Sequence, residues 1–188
     1  ILSIIAFIVV WRGIPDDKPA KDARLNIITP LDTLQLLRKN PAAIGAIMST
    51  LMLSIANEIF FINYGAWMEH SFGLALAALG AVTIVIATAE IGGEVAVIFL
   101  ADRIGKKRMA LAGLFFSALS YIILPFLNFS LLLALIMLFI MFISVEIAIV
   151  ASIPLFSEVM PDARAVMMSG VIGAASGGRL LGAIIGSL

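Results

Sequence analysis

Leu100-Ala101-Asp102-Arg103-Ile104-Gly105-Lys106-Lys107-Arg108 is the one dense cluster of charge that lies between two long apolar runs of this sequence. Asp102 and Arg103 close one run, Gly105 offers a backbone free to reverse sharply, and three cations follow before the chain turns apolar again. That is the reading of a very short loop at a membrane surface. Water holds the charges, and the runs on either side are left for the bilayer.

Composition supports the same class. Of the 188 residues 62% are hydrophobic and 13% charged, and the mean hydropathy is +1.16, values that exclude an ordinary soluble domain. The formal net charge is zero, so no pull toward nucleic acid is implied. The absence of cysteine removes disulfides and thiolate metal sites together. There is no His-Glu-x-x-His, no Gly-x-Ser-x-Gly and no phosphate-cradling glycine loop, and the single histidine, His70, reads as a solvated residue of an outer loop. No enzyme, cofactor or metal site is expected.

Residues 1–11 are apolar but too few to cross about 30 Å of hydrocarbon at about 1.5 Å per residue, and read as the end of a truncated span. The chain begins inside this run without methionine, which predicts a fragment rather than a signal peptide. Residues 12–40 turn polar and form a linker. Its second part carries a helix start, with Thr29 as N-cap, Pro30 at the first position and Asp32 in the first turn. Leu31, Leu34 and Leu37 then share a side, which predicts a short amphipathic helix lying on the membrane. Residues 41–188 form the bundle, with full spans expected over 42–67, 73–100, 109–127, 131–155 and 165–187. Backbone groups in lipid can be satisfied only within helices, so the expected fold is an all-α, polytopic transmembrane helix bundle with five full spans after the end of a preceding one.

Orientation follows from the basic residues. Arg12, Lys18, Lys21, Arg24, Arg38 and Lys39 lie in the linker, Arg103, Lys106, Lys107 and Arg108 at the first reversal, and Arg164 at the reversal before the last span. The two opposite loops hold none. The positive-inside rule therefore assigns the linker and the Asp102–Arg108 loop to the cytoplasm of a multi-pass protein of the cell membrane, plasma or inner.

Asp102, Arg103, Gly105, Lys106 and Lys107 resemble the signature loop of the major facilitator superfamily, Gly-x-x-x-Asp-Arg-x-Gly-Arg/Lys-Arg/Lys, found between the second and third helices of each half. Ile98 stands where the pattern has its first glycine, a departure that fits the more degenerate second copy. Glu158-Val159-Met160-Pro161-Asp162-Ala163-Arg164 is similar to the family's Glu-x-x-Pro followed by arginine, with the arginine one position early. The resemblance implies helices six to eleven of a twelve-helix secondary transporter, with an absent N-terminal half as partner. It also implies transport of a small solute by alternating access, with Asp102, Arg103, Gly105, Lys106 and Lys107 as a cytoplasmic latch. The alternative is a half-size dimerising or non-transporting membrane protein.

Ionisable groups inside spans are costly and mark function by default. Glu58, Glu90, Glu94, Glu146 and Arg179 are such groups here. Counted by helical rise, Glu90 lies about 18 Å, Glu146 about 15 Å and Arg179 about 20 Å from their basic ends, which predicts a shared midplane where such transporters bind substrate. Arg179 could neutralise Glu146 or Glu90 and lock helices together, or serve a substrate anion or proton relay. Four acids against one arginine favour a cavity that handles protons or cations. Glu58, with Ser54 and Asn57 on about the same face, would line that cavity or an outer gate. Glu94 reads as a structural neighbour of the signature loop. Gly170, Gly173, Gly177, Gly178, Gly182 and Gly186 make the last span a packing surface, and the uncharged span over 109–127 is expected at the periphery, facing lipid.

Overall fold

The computed structural model describes residues 37–188. Five helices within them are long and apolar enough to cross a membrane. They are α1 Pro41–Phe72, α2 Leu76–Ile104, α3 Lys106–Ile123, α4 Leu131–Ser157 and α5 Arg164–Gly186. Short 3-10 turns, Leu124–Phe126 and Pro161–Ala163, follow α3 and precede α5. No strand occurs among the described residues, and the chain is an all-α bundle. The expectations for residues 1–11, for linker residues 12–36 and for the helix start at Thr29, Pro30 and Asp32 lie outside the described residues; of the linker, 37–40 are described, with Leu37 buried against Ala43, Ala46 and Met167.

Local chemistry sets the helix ends. Asn40 caps α1 by accepting hydrogen bonds from the amides of Ala42 and Ala43 at 3.0 and 3.4 Å, with Pro41 at the first helical position. At the other end α1 runs past the expected loop at His70, which sits exposed in its last turn. The helix continues because Gly73, at φ 65°, adopts the left-handed cap and returns its N–H to the Glu69 carbonyl at 2.8 Å. Gly105 alone separates α2 from α3, at φ 96° and ψ 129°. Asp102 and Arg103 therefore belong to the last turn of α2, and Lys106, Lys107 and Arg108 to the first turn of α3. Pro161 is not the residue that ends α4, which closes at Ser157.

Packing divides the helices into two groups. α5 lies along α1, while α4 lies between α2 and α3 and carries the most buried surface, including Leu138, Met141, Phe142, Val145 and Ala151. Glycine decides where backbones meet. A Cβ added at Gly178 would lie 2.7 Å from the Leu51 carbonyl oxygen, and at Gly182 2.8 Å from that of Ile55. A Cβ added at Gly93 of α2 would lie 2.7 Å from the Glu146 Cβ, and one at Gly113 of α3 would lie 2.6 Å from both the Ser144 carbonyl oxygen and the Ala148 amide nitrogen. Gly173 faces nothing within 4 Å, so the glycines of the last span are not equivalent. The α3 surface turned away from α4 exposes Leu111, Phe115, Phe116, Leu119 and Ile122.

Polar groups inside the bundle are satisfied locally. Ser117, Ser120, Ser144 and Ser152 are buried, and each donates to a carbonyl three or four residues earlier, at 2.5–3.0 Å. Asn40 donates to the Val159 carbonyl at 3.3 Å, and at the opposite end Asn63 donates to the Gly186 carbonyl at 2.9 Å. Every described lysine and arginine except Arg179 lies toward the end that holds Asn40, hereafter the basic end.

Close approach at Gly178 and Gly182 predicts that Gly178→Ala or Gly182→Ala lowers stability by on the order of 1–3 kcal/mol through backbone overpacking. Gly173→Ala is expected to be neutral or to raise stability, since alanine is the better helix former. Thermal unfolding of the three purified variants in one detergent checks the contrast.

Candidate functional site

A cleft of about 360 Å³ lies between the α1/α5 pair and α4. α1 contributes Ser49, Thr50, Ser54, Asn57 and Glu58, α4 contributes Ser152 and Phe156, and α5 contributes Ala175 and Arg179. Helical spacing brings the α1 residues to one face, since 50, 54, 57 and 58 are three or four apart. The cleft occupies the half of the bundle nearer the basic end. Toward the opposite end Phe60 and Phe61 of α1 close on Phe142 of α4, with ring centroids 5.6 and 5.4 Å apart.

Arg179 and Glu58 are thus brought to one cavity, with Asn57 beside them. The Glu58 Cβ lies at the Gly182 contact, one helical turn beyond Arg179 on α5. Among the described residues Arg179 makes no ion pair within 4.0 Å, and the pairing with Glu146 or Glu90 open to it in the sequence is not formed. The rotation of α5 fixes this: Gly178 and Gly182 face α1, which turns position 179 into the cleft and not toward α2.

Glu146 belongs to a different place. It packs across Gly93 of α2, so Glu90 and Glu94, the acids flanking that glycine, are its nearest charged neighbours. Glu94, read in the sequence as an adjunct of the signature loop, is therefore part of an acidic group at the α2/α4 contact. Glu90 and Glu146 are half-buried and Glu94 is exposed.

The two sequence motifs meet at the basic end. Lys106 Nζ lies 3.6 Å from Glu158 Oε1, with the side chains 40% and 61% exposed. Lys106 is the first residue of α3 and Glu158 is the C-cap of α4. Each charge sits where its own helix dipole disfavours it, and the pair offsets both penalties. Asp102, Arg103 and Lys107 are exposed, Gly105 makes the turn, and Arg164 opens α5 after the 3-10 turn begun by Pro161.

A family model described as Major Facilitator Superfamily matches residues 1–188. The chain belongs to the major facilitator superfamily. Comparison with curated proteins and with solved structures finds no match. As a superfamily member with five apolar helices the chain is a multi-pass membrane protein, and both facts fit a membrane transporter.

Three contributors were not singled out from the sequence of this superfamily member. Tyr121 of α3 donates to Asn57 Oδ1 at 3.2 Å and so braces a cleft residue from behind. Gly93 sets the acidic group, and Asn40 ties the start of α1 to the α4–α5 turn. A lone tyrosine in an apolar run was the available signal, because a hydroxyl in that setting needs a partner.

Exchanging the ion pair tests the dipole argument. Lys106→Glu alone, with two carboxylates facing, is expected to lower stability modestly. Adding Glu158→Lys is expected to restore it and to exceed the original by about 0.3–1 kcal/mol at low salt, with the gain fading as salt rises. Unfolding at two ionic strengths checks both.

Proposed function

We propose that the protein is the second half of a secondary transporter that moves a small polar solute across the cell membrane by alternating access, and that the α1/α4/α5 cleft is its part of the solute path. The observation that carries this reading is Arg179 and Glu58 lining one cleft without an ion pair within 4.0 Å. A cation and an acid held inside the spans and left unpaired with each other are each available to a solute group of opposite charge, or to a coupling ion. Asn57, braced by Tyr121, adds a neutral hydrogen-bonding group to the same cleft.

Coupling is assigned to a second location. Glu146, Glu90 and Glu94 gather where α2 meets α4, and acids held inside spans are the natural place for a coupling proton or cation. The degenerate signature loop, with Ile98 for glycine, supports a second half with an N-terminal half completing the path. The basic end supports a cytoplasmic placement of Asp102–Arg108 and of the Glu158, Pro161 and Arg164 turn. The Lys106–Glu158 pair joins α3 to α4, and the latch role of Asp102, Arg103, Gly105, Lys106 and Lys107 belongs to this reading.

Solute-panel uptake into proteoliposomes carrying the complete gene product tests the proposal. Arg179→Gln and Glu58→Gln are each expected to reduce uptake by about tenfold or more while the protein stays monodisperse, the scale of a lost charged hydrogen bond. Glu146→Gln is expected to abolish the response to a proton gradient but to leave solute exchange in place. Unchanged uptake in the two cleft variants would remove the cleft from the path, and an unchanged gradient response in Glu146→Gln would make the acidic group structural.

A further inference from the structure

A second cavity, of about 500 Å³, lies toward the end opposite the basic one, and neither the solute path nor the acidic group uses it. Its α1 wall is a single helical face, Ala56, Ile59, Phe60, Asn63, Tyr64 and Trp67, spaced by three and four. Tyr121, Leu124 and Pro125 of α3 and the turn after it make the other wall. The volume is that of a small-molecule site. Four aromatic rings line it, and Phe60 holds Tyr64 at 5.7 Å and Tyr121 at 6.5 Å between centroids. Among the described residues no acidic or basic side chain does.

The polarity of this cavity can be counted hydrogen by hydrogen. Asn63 uses its side-chain nitrogen on the carbonyls of Ile59 and Gly186, both at 2.9 Å, which commits its donors and leaves Oδ1. Tyr121 spends its hydroxyl hydrogen on Asn57 Oδ1 at 3.2 Å. Tyr64 spends its own on the Leu79 carbonyl at 3.2 Å or on Thr83 Oγ1 at 3.4 Å. Pro125 has no N–H to offer. What remains on these side chains is lone pairs and ring faces. The exception is the indole N–H of Trp67, on the residue type whose ring attracts cations most strongly.

We propose that this cavity binds a protonated amphiphilic amine: an ammonium that gives an N–H to Asn63 Oδ1 or a tyrosine oxygen and sets its charge against the ring faces, with an apolar body against Phe60, Trp67 and Leu124. An anion is disfavoured by the same count, because beyond the single indole N–H of Trp67 it would bring lone pairs to lone pairs. A neutral hydrocarbon gains the apolar walls alone. The site is separate from the Arg179 and Glu58 cleft, with the Tyr121–Asn57 hydrogen bond running between the two cavities.

Three probes of matched shape decide the matter by equilibrium binding to the purified full-length protein in an uncharged maltoside detergent at neutral pH. They are N,N-dimethylbenzylammonium, its carbon isostere isobutylbenzene, and phenylacetate. The ammonium is expected to bind about tenfold or more tightly than isobutylbenzene, the scale of a desolvated cation–π contact, and phenylacetate is expected not to compete. Tyr121→Leu is expected to weaken the ammonium about tenfold, while Tyr121→Phe, which keeps the ring, weakens it less. Equal binding of the ammonium and isobutylbenzene, or competition by phenylacetate, would overturn the proposal without reference to any variant. Undiminished ammonium binding in both Tyr121→Leu and Trp67→Leu would overturn the location. No arm depends on transport, so failure here leaves the function of the cleft untouched, and the reverse holds.

Discussion

Everything in this bundle depends on how closely two helix backbones can approach once the backbone has spent its hydrogen bonds on itself. A segment in hydrocarbon has no water to fall back on, so each apolar run becomes a helix, and helices then gain from one another chiefly by contact. Contact is closest where a Cβ is missing. Gly178 and Gly182 lay α5 on α1, and Gly93 and Gly113 lay α2 and α3 on α4. Two tight groups result, and the space between them is the cleft.

The placement of polar side chains follows from those contacts. Arg179 is aimed by its neighbour Gly178, because the residue next to a helix-facing glycine points about 100° away from it. Glu146 is pressed between Glu90 and Glu94 because the glycine between those two is where α4 touches α2. The small residues that bring helices together thus also decide which charges share a cavity. Serines on the buried faces add no demand, since each returns its hydrogen to its own helix.

Much of the fold was legible because length, apolarity and the position of charge do not depend on tertiary detail. Five runs of sufficient length gave five helices, and the Asp102–Arg108 reversal is a turn made by Gly105. Motif resemblance reached the family for the same reason, since the matching residues are contiguous. The site was less legible. Whether Arg179 meets Glu58 or Glu146 depends on rotation about the α5 axis, and a span carrying glycine at 170, 173, 177, 178, 182 and 186 offers several faces that a partner could use. Only the packed structure separates Gly182, where an added Cβ would meet the Ile55 carbonyl, from Gly173, where it would meet nothing within 4 Å. The α1 helix outran its expected end because a cap at Gly73 outweighed the polar residues before it.

The aromatic contact of Phe60 and Phe61 with Phe142 gives the molecule a mechanical character. It joins the two helix groups far from the basic end, with about 30 Å of α1 between Phe60 and the capping Asn40. A long rigid arm on a short joint is a lever. A tilt of about 10° at the rings carries the capped end through about 5 Å, by that length. The hydrogen bond from Asn40 to the Val159 carbonyl, with Leu37, Ala43 and Ala46 packed beside it near Phe156 and Val159, then holds the far tip of the arm, where a given force has the greatest mechanical advantage.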